Sequence, residues 1–231
     1  AIARALGLRS EPRAFNPDAF HEDPDEDPMQ EREDSITWTS LDVGTPFEPA
    51  RQGMLYVASH LAPPGRDGTS PEQLEELCGL IDASGGRALA LFSSWRAVDA
   101  AETALQPVCD ALGVALLVQR RGTPVSDLVK RFATDETSVL LGTLSLWQGV
   151  DVPKRFTRSD TGFPRAALLL AQGAGRLIRT QRDRGVVAVL DSRLANARYG
   201  SYLRTSMPPF YATTDRETAL ASLRRLNESR A

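Results

Sequence analysis

Gln172, Arg176 and Arg179 stand in the order Q-x-x-G-R-x-x-R, with Gly175 directly before the first arginine. On a helix, side chains three apart share a face, so the two guanidiniums emerge one turn apart. A guanidinium is planar, permanently charged and able to fork onto two oxygens, which suits it to phosphate. One domain uses such a pair to reach across a cleft and neutralise charge on a nucleotide held by another. Gly175 reads as a close-packing position beside them. The plainer alternative is an amphipathic helix with exposed arginines, in a chain that has 25 arginines and only two lysines, Lys130 and Lys154.

A second set of groups follows apolar runs. Ser138 to Leu141 reads as a strand that leads into Gly142 and Thr143, with Gly149 and Asp151 a few residues on. Ala88 to Ser93 is another such run, closed by Ser93 and Ser94. The ends of strands in open α/β sheets are where ligands bind. Hydroxyls and glycines there suit a sugar–phosphate backbone, because backbone N–H groups must approach phosphate closely without reading bases.

Taken in order, L-L-G-T-L-S-L-W-Q-G-V-D-V-P (140–153), A-L-L-L-A-Q-G-A-G-R-L-I-R (167–179) and D-R-G-V-V-A-V-L-D-S-R (183–193) resemble motifs V and VI of superfamily 2 helicases. More closely they resemble the DinG branch of the XPD-like DNA helicases. Ala88 to Ser94 resembles motif IV, and Tyr199-Gly200, Leu203 and Met207-Pro208-Pro209 resemble the C-terminal segment of that family, so the likeness runs from about Leu41 to Asp215. The resemblance implies a RecA-like three-layer α/β sandwich with a mostly parallel central sheet. It also implies roles. Arg176, Arg179 and Gln172 would act on ATP as fingers and sensor, with Gly149, Asp151 and Gly175 lining the cleft. Ser93, Ser94, Gly142 and Thr143 would touch the backbone of single-stranded DNA, within branched DNA or an RNA–DNA hybrid. ATP and Mg2+ would be held mainly by an N-terminal RecA-like domain of the same protein. Translocation 5′ to 3′, a role in repair or R-loop removal, and cytoplasmic location are what the family implies. Whether an iron–sulfur cluster belongs to the other half is left open.

Two departures qualify the likeness. No G-x-x-x-x-G-K-[ST] occurs, nor any glycine–lysine pair, so the backbone cradle and lysine for phosphates are missing from these residues. The chain also starts without methionine, and the expectation is the C-terminal half of a two-domain motor, inactive alone. Secondly, only 20 residues separate Asp151 from Gln172, where the family has a further core strand and a sizeable segment. Lys154 to Thr161 is polar, and the short spacing implies a missing internal stretch.

Composition is consistent with this and would not have suggested it. With 231 residues and 42% hydrophobic content the chain can bury a real core. Two cysteines, Cys78 and Cys109, cannot build a four-thiolate metal site and read as buried thiols. Ala166 to Ala171, the longest apolar run, is far too short to span a bilayer, and no membrane partner is expected. The net charge of -3 conceals an acidic stretch, His21 to Asp34, with eight carboxylates and one arginine; the remainder carries +4. That stretch, broken by Pro24 and Pro28, reads as a solvated insert in an N-terminal connecting segment over 1–40, with the RecA-like domain over 41–231. Asp25-Glu26-Asp27 is rejected as a metal motif because no apolar strand delivers it, and no metal ligand set is identified.

Strands are expected at Met54–Ser59, Ala88–Ser93, Ala115–Gln119, Ser138–Leu141 and Val186–Leu190, alternating with helices. Ser70, Pro71 and Gln73 form the start signal of a helix that Gly85-Gly86 ends, with Leu74, Leu77, Cys78 and Ile81 on its apolar face. Trp95–Leu112, disturbed at Pro107, and Pro124–Thr134 read as the next two. His60 reads as a packed or hydrogen-bonded residue, and Trp147 as a packing residue among leucines rather than a stacking platform. The rival functional class is a non-catalytic RecA-like binding or regulatory module. A nuclease reading has only Asp151 and Asp191 as strand-end carboxylates.

Overall fold

The computed structural model describes residues 46–63, 69–122, 124–144, 146, 174–175, 177–178 and 180–229. Gln172, Arg176, Arg179, Gly149, Asp151, Trp147, the acidic stretch and Lys154–Thr161 lie outside them. From Phe47 on, the described residues belong to one compact unit.

The described residues open with α1 (Pro49–Gln52) and β1 (Gly53–Val57), followed by α2 (Pro71–Ser84), β2 (Ala88–Phe92), α3 (Trp95–Leu112) and β3 (Leu116–Val118). Next come α4 (Val125–Thr134), β4 (Val139–Thr143), β5 (Gly185–Val189), α5 (Arg193–Asn196), α6 (Gly200–Thr205), β6 (Tyr211–Thr213) and α7 (Arg216–Glu228). Among the described residues all strand pairings are parallel, in two three-stranded sheets ordered β3-β4-β2 and β5-β1-β6.

Each sheet is covered on both faces, because the two-residue period of a strand sends alternate side chains to opposite sides. Val139 and Leu141 of β4 pack with Leu77 and Ile81 of α2 and Val98, Leu105 and Cys109 of α3. Leu140, between them, packs the other way onto Leu117 and Leu128, beneath α4. In the second sheet Tyr56 joins Leu80, Ala83, Ala219 and Leu220, under α2 and α7. Leu55 and Val57 join Ala174, Leu194, Leu203, Met207 and Phe210 on the reverse side. The result is helix, parallel sheet, helix: a RecA-like α/β sandwich, as the sequence implies.

Local signals place the helices. Ser70 Oγ accepts from Gln73 N at 3.3 Å while Gln73 Oε1 accepts from Ser70 N at 2.9 Å, the reciprocal capping box. The same Gln73 donates Nε2 to Leu190 O, tying the start of α2 to the end of β5. At the other end Gly85 is left-handed (φ 64), and Gly86 follows at φ 88 with the Thr137 carbonyl 2.1 Å from where a Cβ would stand. Neither position admits a side chain. Pro107 does not end α3, which continues to Leu112. The cost of about 3 kcal/mol for an interior proline is offset by Leu105 and Cys109, fully buried on either side of it.

Three expectations are adjusted. β4 runs two residues past Leu141, because Gly142 has no side chain to obstruct Leu146 and Gln119 above it. Cys109 is buried but Cys78 is only half-buried; burial pushes both thiols up. β6 and α7 carry no sequence expectation, although Asp215 caps α7 by accepting from Thr218 N and Oγ1, and Ala219, Leu220 and Leu223 give it an apolar face.

Candidate nucleic-acid interface

Pairing of β2 with β4 sets Leu91 against Gly142 and Phe92 against Thr143, and Leu144 N donates to Phe92 O. Ser93 and Ser94 therefore emerge beside Gly142 and Thr143 at the C-terminal end of one sheet. All four are described residues, and register alone brings them together.

Ser94 is the N-cap of α3. Its Oγ accepts from Ala97 N at 3.2 Å, and as a hydroxyl it retains a proton to donate. Ser93 is exposed. The amino end of an 18-residue helix adds unpaired N–H groups and a positive dipole end here.

Thr143 is held from an unexpected direction. Gln119, the residue after β3 and only 5% exposed, presents Oε1 to Thr143 N at 2.8 Å and to Thr143 Oγ1 at 3.2 Å. Gln119 N in turn donates to Leu141 O. A Cβ on Gly142 would lie 1.9 Å from Leu146 Cδ1 and 2.8 Å from Gln119 Oε1, so glycine is required for these groups to close over the strand. Sequence reading missed Gln119. The signal was there: a lone amide ending an apolar strand, just before Arg120-Arg121-Gly122.

Two further groups were missed. Trp95, the first residue of α3, lies under Arg121, whose guanidinium carbon is 5.6 Å from the ring centroid. Arg120 is committed to Glu102 at 2.5 Å and Asp99 at 3.8 Å. No ion pair engages Arg121 or the exposed Arg96 among the described residues. The corner around Ser93 and Ser94 is thus basic and aromatic.

Motif VI is described only in part. Ala174 (2% exposed), Leu177 and Ile178 pack on Leu55 and Val57. Gly175 is exposed, and among the described residues no atom lies within 4 Å of where its Cβ would be.

Away from these ends, Glu76 is buried. It accepts from Tyr56 Oη at 2.7 Å and from Arg216 Nε at 2.7 Å, with His60 Nε2 at 3.8 Å. Burial first, and then the adjacent carboxylate, push the Tyr56 phenol well above its usual value. Arg216 is held more firmly charged by its bond to Glu76. This network joins β1, α2 and α7 and plays a structural part. His60 lies exposed at its edge, in contact with Glu76 rather than packed in the core. Asp191 accepts from Arg193 N and from its guanidinium, so the nuclease candidate is a loop anchor. No cluster of three metal-ligating side chains exists among the described residues, and no described helix is long and apolar enough to cross a membrane.

Parallel strands with covering helices on both faces and a polar cluster at the strand ends make up a RecA-like α/β domain. The family model for the helicase C-terminal domain matches residues 77–159 and 158–210, more than half of the chain, and the chain belongs to that family. It is similar to the ATP-dependent helicase DinG of Mycobacterium tuberculosis, 49% identical over 222 aligned residues that cover 82% of this chain and 33% of that protein. It is also similar to the ATP-dependent DNA helicase YoaA of Escherichia coli, 29% identical over 209 residues, 76% of this chain and 32% of that protein. The chain thus spans about a third of the length of these curated relatives. Since 82% of 231 residues is about 189, about 33 of the 222 positions have no residue of this chain opposite them. The same holds for the Escherichia coli protein, where 76% is about 176 of 209.

Proposed function

We propose that this chain is the second RecA-like motor domain of an ATP-dependent DNA helicase, moving 5′ to 3′ along single-stranded DNA in branched DNA or RNA–DNA hybrids. Repair or R-loop removal, in the cytoplasm, is the setting that reading implies. The observation that supports it most is the register of Phe92 against Thr143, which gathers the motif IV and motif V residues at one sheet end.

In this reading ATP and Mg2+ are bound mainly by a partner N-terminal RecA-like domain. Arg176 and Arg179 approach the phosphates, Gln172 senses them, and Gly149, Asp151 and Gly175 line the cleft. Closure on ATP and opening after hydrolysis move the domains along the strand. On the DNA side, Ser93 and Ser94 supply the first donors to phosphate. Thr143 follows when phosphate replaces Gln119 Oε1 as acceptor, with Gly142 leaving room for the approach. Arg121 adds charge and Trp95 a face for stacking.

The test is binding of homopolymer and mixed single strands to the full-length protein at several salt concentrations. Combined Ser93→Ala and Ser94→Ala should weaken all sequences alike, by roughly 1.5–3 kcal/mol per bond lost, because these bonds reach a charged acceptor and carry no base information. The salt slope should hold, whereas Arg121→Ala should lower it by about one. A loss confined to one base composition sinks this assignment.

A further inference from the structure

The start of α3 holds an aromatic ring that phosphate contacts alone do not use. Ser94 caps the helix and Trp95 is its first residue, so the ring leaves the backbone directly beside the Ser93 and Ser94 hydroxyls. Trp95 is half-buried, neither sealed in the core nor wholly exposed. Arg121 lies over it, with the guanidinium carbon 5.6 Å from the ring centroid.

The backbone that carries Arg121 is anchored on both sides of it. Gln119 is tied to Leu141 O through its N–H and to Thr143 through its side chain. Arg120 reaches back to α3, to Glu102 at 2.5 Å and Asp99 at 3.8 Å, and its bond to Glu102 holds it more firmly charged. Gly122 then turns the chain in the left-handed region, at φ 81. Between these anchors Arg121 is exposed, with no ion pair among the described residues. Its side chain can swing while the backbone stays in place.

A guanidinium and a nucleobase are both flat, delocalised groups that settle on an aromatic face, so the two compete for one position. The competition favours the base. An exposed cation–π contact is worth roughly two- to fivefold in an equilibrium, whereas a base stacked on an aromatic side chain is worth roughly five- to 150-fold by alanine substitution. The displaced guanidinium still contributes. A strand that stacks a base on Trp95 brings its phosphates to the Ser93 and Ser94 hydroxyls, and Arg121 can follow that charge.

We propose that Trp95 is a base-stacking subsite on the single-strand path, and that Arg121 covers the ring until DNA arrives, then yields it to a base and moves to the adjoining phosphate. The proposal rests on the single-strand reading above. It adds that the protein distinguishes a strand with bases from a bare sugar–phosphate backbone. Every base fits, because each has a π face.

Binding to the full-length protein is measured for a single strand and for a strand of equal length built from abasic residues. Trp95→Ala should weaken the intact strand by about fivefold or more and the abasic strand by less than about twofold, and Trp95→Phe, which keeps a ring, should restore most of the difference. Both strands are read on one protein, so any loss of folded material cancels in their ratio. Combined Ser93→Ala and Ser94→Ala should instead weaken both strands alike. Arg121→Ala should lower the salt slope by about one on both. Trp95 emission, taken as the difference between the protein and Trp95→Phe, should be quenched by the intact strand and not by the abasic one. An intact-to-abasic ratio that Trp95→Ala leaves unchanged overturns the proposal, as does equal quenching by the two strands. Abasic-strand binding that does not respond to the serine pair overturns the phosphate reading itself, and the stacking subsite with it.

Discussion

The β3-β4-β2 half and the β5-β1-β6 half of the domain are built from the same parts and use them differently. In the first, the core is aliphatic and the polar groups sit at the strand ends: Ser93, Ser94, Thr143 and Gln119. In the second, a buried carboxylate, Glu76, holds Tyr56 in the interior and Arg216 at its edge, and the described part of motif VI is anchored by apolar contacts. Polar groups at a strand end remain within reach of a ligand, whereas a buried, saturated network resists movement. The first half is suited to contact, and the second to anchoring Ala174, Leu177 and Ile178 on the sheet.

The largest effect that would break this contrast concerns ATP. In the full-length protein Arg179→Ala should lower ATP turnover by about 10³-fold or more and leave DNA affinity nearly intact, since a finger arginine acts on transition-state charge. Turnover within about tenfold of the unaltered protein, a difference worth about 1.4 kcal/mol, would remove Arg179 from that role. It would also favour a non-catalytic module if Arg176→Ala behaved the same.

Next is the locked network. Glu76→Ala leaves a buried phenol and a guanidinium without their acceptor, and should destabilise the chain by about 2–3 kcal/mol in denaturant unfolding. The figure is kept low because Arg216 reaches solvent. Glu76→Gln, which can still accept from Tyr56, should cost less. If both cost nothing, the second half is not held as described.

Gln119→Ala sharpens the other side. It removes the acceptor for two Thr143 donors and should cost about 1–2 kcal/mol of stability, yet weaken single-strand binding less than the serine pair does. Binding lost as severely as with Ser93→Ala and Ser94→Ala would make Gln119 itself a contact.

The smallest effect is at acid pH. Thr218 hydrogen bonds hold the Asp215 carboxyl below its usual value at the N-cap of α7. A depressed carboxylate contributes stability at pH values above its unfolded pKa of about 4, and loses it as pH falls through the lower folded value. Asp215→Asn should flatten that part of the stability–pH curve without moving the neutral plateau.

Much of this was legible because it is local. The capping box at Ser70 and Gln73, the glycine stop at Gly85-Gly86, the five strands β1 to β5 and the alternation of strand with helix depend on residues a few positions apart, and the sequence carries them, with bounds shifted by a residue or two. α7 was equally legible in its Asp215 cap and its spaced Ala219, Leu220 and Leu223, and the reading stopped short of it. What the sequence by itself determined is the fold class and the helicase family, through apolar period and ordered motifs. Tertiary structure alone decided that Gln119 reaches Thr143 from a neighbouring strand and that Arg216 meets a carboxylate 140 residues away. Periodicity fixes which side of an element is apolar, while partners across strands depend on register and sheet order, which close only when the chain packs.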